Sequence, residues 1–319
     1  MTIKVTSPTI LSTANKPLPA PEVCSSTDGC NKSPPSSLGS LEKIGLIGLG
    51  GFGSVELVKD DDNVYALKTM TKAHIKNTGQ EAHVLSEREV LLSVDCPHVV
   101  KLHSTFRDAE KLYMLMEPCL GGELYSLIRK EKRLPEAAAR YYVASICGRP
   151  KLCDFGFAKN ISADGKTYTF CGTPEYAAPE TISAKGQSTA VDLWALGIFV
   201  YECLTGNPPF ISSDPMNVYR GILRGMEHLV WPRYLSKSAV DLILALCKMD
   251  PAERLGFAGI RSHPWFEGFD WELFEQGRMP PPYEPQVSSP IDTNNFAPME
   301  HAYEFPSEVD ESGWDEEFA

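Results

Sequence analysis

Three groups of residues in this chain have the types and spacing to handle phosphate. Gly48-Leu49-Gly50-Gly51-Phe52-Gly53 carries glycine at 48, 50, 51 and 53. A backbone without Cβ atoms lets amide N–H groups approach phosphate oxygens. Asp154-Phe155-Gly156 sets a carboxylate before an apolar residue and a hinge glycine. The carboxylate can hold a metal ion while the backbone turns. Ser162, Thr167, Thr169 and Thr173 follow in a loop that ends at Ala178-Pro179-Glu180. Hydroxyls in such a loop can accept a phosphate.

These groups need elements to hold them. Ile44, Leu46 and Ile47 lead into the glycines, and Val55, Leu57 and Val58 continue as a strand. Asp60-Asp61-Asp62-Asn63 marks a turn, and Val64-Tyr65-Ala66-Leu67-Lys68 reads as the next strand. A Rossmann unit would place a helix directly after its glycines, so the strand makes that alternative improbable. Residues 81–94 read as a helix, with Val84, Leu85, Leu91 and Leu92 on its apolar face. Glu87 and Glu89 both lie at margins of that face, and periodicity does not choose between them. Two strands within 99–117 are joined by Arg107-Asp108-Ala109-Glu110. Leu134-Pro135-Glu136 opens a helix with Pro in its first turn, and Pro150 forbids its continuation. Residues 189–204 are apolar nearly all round yet too short to span a bilayer, which predicts a buried core helix.

Composition bounds the function. The 319 residues are 43% apolar and 23% charged, ordinary for one or two globular domains. A net charge of −12 argues against nucleic acid or an anionic membrane as the main partner. The nine cysteines are scattered without a C-x-x-C pair, so reduced thiols and a cytoplasmic location are expected. No signal peptide or membrane span is evident. Residues 1–43 are rich in Ser, Thr and Pro and read as a disordered extension.

The stretch from Asp154-Phe155-Gly156 to Ala178-Pro179-Glu180 resembles the activation segment of a eukaryotic protein kinase. The glycine-rich hairpin and the strand ending in Lys68 are similar to the family's phosphate loop and its strand lysine. The tail, with SSPIDTNNF and the ending GWDEEF, resembles the cyclic-nucleotide-regulated (AGC) group, closest to cGMP-dependent protein kinase. The resemblance implies an α+β, two-lobed fold: a β-rich small lobe at about 44–116, a helical large lobe at about 120–266, and a tail over 267–319. It implies ATP and Mg²⁺ as cofactors, with Ile47, Gly48, Leu49, Gly50, Gly51, Phe52, Gly53, Ser54, Val55, Lys68, Glu87, Glu117 and Glu123 at the nucleotide. Glu87 is selected as the partner of Lys68, the backbone of the hinge 116–123 would pair with adenine, and Asp154 would hold the metal. Thr169 would be the phosphosite of the activation loop. Glu123 and Glu202 would meet basic residues of Ser/Thr protein substrates. Arg254 would pair with Glu180. Phe296 would lie near the nucleotide, and Trp314 and Phe318 on a hydrophobic groove.

One departure is large. The family carries H-R-D-L-x-x-x-N shortly before its Asp-Phe-Gly, and residues 141–153, YYVASICGRPKLC, contain no such loop. Arg107-Asp108 is a decoy in the small lobe. Roughly two to three dozen residues, the loop and its flanking strands, are absent from the large lobe relative to the family plan. No catalytic-loop Asp is therefore available, and loss of a base typically costs about 10²–10⁴-fold in rate. The readings are a serine/threonine kinase lacking one excised block, or a pseudokinase that binds nucleotide or partners. The excision is also expected to uncover the central apolar helix at Trp194 and Phe199. With only 43 residues ahead of the kinase-like part, no cyclic-nucleotide-binding domain is expected there.

Overall fold

A computed structural model describes residues 2–4, 10–12, 35, 37–94, 99–146, 151–153, 155, 156, 158–161, 165–299, 305, 306 and 308–318. The leading segment holds two short strands, β1 (Thr2–Lys4) and β2 (Ile10–Ser12), where composition had suggested no regular structure. Backbone pairing, which composition does not report, gives these residues their form.

The small lobe is a five-stranded antiparallel sheet in the order β3-β4-β5-β7-β6. Its strands are β3 (Glu42–Gly50), β4 (Gly53–Lys59), β5 (Val64–Thr71), β6 (Leu102–Arg107) and β7 (Lys111–Met116). Between β5 and β6 come α1 (Lys72–Asn77) and α2 (Glu81–Ser93). The corners are built by aspartates that bond their own backbone. Asp60 Oδ1 accepts from the amides of Asp62 and Asn63 at 2.8 and 2.7 Å. Asp108 Oδ1 accepts from those of Glu110 and Lys111 at 2.8 and 2.7 Å, so Arg107-Asp108 is a hairpin corner. Alternation along β5 divides the sheet into two faces. Tyr65 and Leu67 pack with Val58 and Leu115, while Ala66 packs with Ile47 and Leu57 on the other side.

The large lobe begins with α3 (Leu124–Glu131) and α4 (Glu136–Ile146). Two three-residue strands, β8 (Lys151–Cys153) and β9 (Lys159–Ile161), flank the Asp-Phe-Gly element. Then come α5 (Pro179–Ile182), α6 (Ala190–Thr205), α7 (Pro215–Arg224), α8 (Lys237–Leu246), α9 (Phe257–Arg261) and α10 (Trp271–Glu275). Helix α6 forms the centre of the core, with Trp194, Ile198 and Val200 fully buried. It stops at Gly206, φ 86°, where any Cβ would strike the Lys132 carbonyl oxygen.

The expected uncovering of α6 does not occur at Trp194. The Arg254 guanidinium lies 5.3 Å from its ring centroid, and Cys247 Sγ donates to its carbonyl at 3.6 Å. Both residues follow the gap in sequence, so this cover does not depend on the missing block. Phe199 is partly buried against the same core. Burial pushes the Cys203 and Cys247 thiols well up, which makes them inert core residues. Arg254 also forms a bidentate pair with Glu180, Nη1–Oε1 2.7 Å and Nη2–Oε2 2.6 Å, both residues buried.

The tail returns to the small lobe. Phe318 is fully buried, and it and Trp314 pack on the cluster of Val84, Val90 and Leu91 from α2. Asp315 pairs with buried Lys72 at 2.6 Å and with Arg107 at 3.4 Å. Among the described residues no helix is long and apolar enough to cross a membrane.

Candidate nucleotide site

Glycine chemistry shapes the first wall. Ile47, Gly48, Leu49 and Gly50 end β3, Gly51 and Phe52 make the turn, and Gly53, Ser54 and Val55 open β4. Gly50 and Gly53 face each other across a two-residue connection. A Cβ on Gly53 would collide with the Thr69 carbonyl oxygen, so the sheet admits only glycine there. At Gly51 nothing lies within 4 Å of where a Cβ would stand, which leaves space for a ligand to approach the backbone. Leu49 is exposed, and Phe52 turns towards the α2 cluster.

Pairing sets the second wall. Lys68 on β5 stands opposite Val55 on β4 and Met114 on β7, and Ala66 stands opposite Leu57 and Met116. The Lys68 side chain is 17% exposed, and its Nζ lies 2.8 Å from both oxygens of Glu87. Glu87 is buried on α2 while Glu89 is exposed, which resolves the choice that periodicity left open. The pair holds an ammonium two residues along β5 from Ala66, on the same face of the strand. Ala66 packs in an apolar cluster with Ile47, Val55, Met116, Leu120 and Phe296. Ala66, Met116 and Leu120 were not singled out from sequence. The signal for Ala66 was present, since period-two alternation puts it on the Lys68 face of β5.

The hinge borders this cluster through Met116 and Leu120. The Glu117 amide donates to the Lys101 carbonyl at 2.9 Å, so an adenine contact at Glu117 falls to its carbonyl. Gly122, φ 73°, is buried where the tail crosses, 2.6 Å from its Cβ position to the Asn295 carbonyl oxygen. Asn295 Nδ2 donates to the Leu120 carbonyl at 3.0 Å. The tail thereby sets Phe296 against the same apolar cluster. Glu123 is half-buried at the N-terminal end of α3.

Asp154 and Ser162 lie outside the described residues, as does the junction 147–150. Neighbours fix the ends of the Asp-Phe-Gly element. Phe155 is buried in the cluster of Met70, Ile75, Val84 and Leu91, and the Ala158 carbonyl accepts from Ser86 Oγ on α2 at 2.9 Å. In the activation loop the Thr169 carbonyl accepts from Gln187 Nε2 at 2.8 Å, and Thr167 bridges to Gln187. Glu202 is buried on α6. It accepts from the Tyr176 hydroxyl, and Arg129 Nη2 of α3 lies at 3.4 Å. Burial, with Glu202 beside it, raises the Tyr176 hydroxyl well above its ordinary range, so that proton stays in place.

The donor set fits a nucleotide. An aromatic base matches the apolar cluster beside Lys68, and glycine amides and the Lys68 ammonium match phosphate oxygens. Among the described residues no group of three or more His, Cys, Asp or Glu could hold a metal. A magnesium ion would rest on Asp154 and the phosphates themselves, a coordination the ion accepts.

Comparison with known proteins agrees with this geometry. The family described as Protein kinase domain matches residues 41–149 and 147–266, two stretches that meet where the catalytic loop is missing. The isozyme 2 forms cD5/T2 of the Drosophila melanogaster cGMP-dependent protein kinase are 40% identical over 316 residues, 88% of this chain and 34% of theirs. Mouse cGMP-dependent protein kinase 2 is 42% identical over 314 residues, covering 88% of this chain and 41% of its own. The cGMP-dependent protein kinase egl-4 of Caenorhabditis elegans is 40% identical over 317 residues, 88% and 40% respectively. The chain thus spans about a third to two fifths of these relatives. From its glycine hairpin to the Glu180–Arg254 pair, this chain belongs to the protein kinase family.

Proposed function

We propose that this chain binds ATP with Mg²⁺ at the apolar cluster beneath β3 and β4, as a serine/threonine protein kinase domain of cGMP-dependent type whose phosphoryl-transfer groups are missing. The Lys68–Glu87 pair, on the β5 face that includes Ala66 of that cluster, carries the reading. Glycine amides and Lys68 neutralise phosphate charge, and Ile47, Val55 and Phe296 hold the adenine. Asp154 would hold a magnesium ion, which would supply neutralisation of phosphate charge. Phosphoryl transfer depends on positioning and charge neutralisation. The chain has no carboxylate from an H-R-D loop to accept the substrate proton and no Asn for a second metal.

The substrates of the intact arrangement are proteins with basic residues near the target Ser or Thr, read by Glu123 and Glu202. Glu202 meets such a residue by exchanging Arg129 for it. Thr169 is the phosphosite of the activation loop. Its phosphate lacks the H-R-D arginine, so it orders the loop less than that pairing would. Charge and thiol content favour a cytoplasmic location.

Fluorescence titration with an N-methylanthraniloyl-ATP analogue in Mg²⁺ tests the site. Saturable binding is expected, weakened at least about tenfold by Lys68→Ala, the loss of one charge-assisted contact. Equal affinity in both proteins would overturn the assignment. A pseudokinase role that binds nucleotide or a partner shares this site, though the abruptness of the gap, between two stretches that both match the family, favours a kinase lacking one block.

A further inference from the structure

The strands that flank Asp-Phe-Gly have an unusual partner. β1 pairs in parallel with β8, Thr2 opposite Lys151, Ile3 opposite Leu152 and Lys4 opposite Cys153. β2 pairs in parallel with β9, Ile10 opposite Lys159, Leu11 opposite Asn160 and Ser12 opposite Ile161. Both pairings join residues 149 positions apart. Five residues separate β1 from β2, and five separate β8 from β9. One register therefore runs past the interruption, and the two short ladders are parts of a single alignment.

Each ladder is a two-stranded sheet, so β8 and β9 have no other strand partner among the described residues. The local chain offers none. Only residues 147–150 lie between α4 and β8, too few to form a second strand and fold it back. Unpaired strand edges present rows of N–H and C=O groups that accept an added strand. The same edge reaches the nucleotide site. Residue 158, just before β9, is tied to Ser86 of α2, one residue from Glu87, and Phe155 sits in the α2 cluster.

We propose that β8 and β9 form a strand-acceptor edge for one extended peptide, filled in cis by β1 and β2, and that this strap steadies the Asp-Phe-Gly element and α2. The occupant is the chain's own leading segment, chosen by the shared register. Because β8 and β9 hold both ends of the loop that carries Asp154, seating the strap also raises Mg²⁺-nucleotide affinity. That last consequence rests on the nucleotide reading above; the pairing itself does not.

Two readouts independent of nucleotide test the pairing. In the full chain carrying Lys4→Cys, mild oxidation and peptide mapping should find residue 4 joined to Cys153, with no such link from Ser37→Cys. Absence of the 4–153 link overturns the proposal, and this arm decides the matter if a shortened chain fails to fold. Deleting residues 1–13 should speed amide exchange at 151–153 and 159–161 at least about tenfold, as local opening does, while β5 is unchanged. A synthetic peptide of residues 1–13 should restore the protection saturably, and a scrambled peptide should not. Unchanged exchange after deletion, or no restoration by the peptide, contradicts the strap. Crosslinking and restored exchange without any change in nucleotide affinity would keep the strap and reject only its link to the site.

Discussion

Two ionic contacts at the residue scale carry different burdens. On the nucleotide reading proposed above, the Lys68–Glu87 pair serves a ligand, so its loss should appear in affinity. Glu87→Gln should weaken nucleotide binding several-fold, while Glu89→Gln, on the exposed side of α2, should leave it unchanged in the same fluorescence titration. Equal effects of the two would remove the distinction drawn from burial. The Glu180–Arg254 pair serves the fold. Arg254→Ala leaves a buried carboxylate without its bidentate partner, and such breaks cost about 3–5 kcal/mol. Differential scanning calorimetry should show melting lowered by about 10 °C. A shift within a degree or two would mean that Glu180 finds other partners. Sequence pattern alone could name Glu87 and Glu89 but not rank them. The ranking depends on where the sheet sits against α2, which an isolated helix period does not encode.

At the scale of elements, the hairpins, α2 and α6 were readable because each carries a local signal. Asp60 and Asp108 close their own turns, and the apolar run of α6 has nowhere to go but a core. The strands β1 and β2 were unreadable because their partners lie 149 positions away and their composition is that of a loose segment. The cover over Trp194 was misjudged for a related reason: Arg254 and Cys247 reach it from beyond the gap. The tail makes a pH prediction. Hydrogen bonds from Ser312, then Lys76 and Trp314, hold the Asp310 carboxyl well below the ordinary carboxylate range. A group with a depressed folded pKa contributes fully above its unfolded value, about 3.9, and its contribution fades as pH falls through the folded value. The Trp314 indole resonance of the folded chain should therefore hold its position from pH 7 to below about pH 4, because the Asp310 carboxyl stays ionised there. Movement beginning near pH 6 would point to a different titrating group.

At the scale of the whole molecule, a core built around α6 and a sheet built around Lys68 survive the missing block, while the groups that would move the phosphate do not. Folding, and the base binding proposed above, draw on residues on both sides of the gap. Phosphoryl transfer draws on the gap itself. Titrating Mg-ATP into the full chain with a basic Ser peptide in the calorimeter cell separates the two. The account predicts a single saturating binding isotherm, lost or strongly weakened in Lys68→Ala, with no continuous heat from turnover. A steady heat flow accompanied by phosphopeptide, abolished by Asp154→Ala, would contradict it and show that another carboxylate performs the absent step.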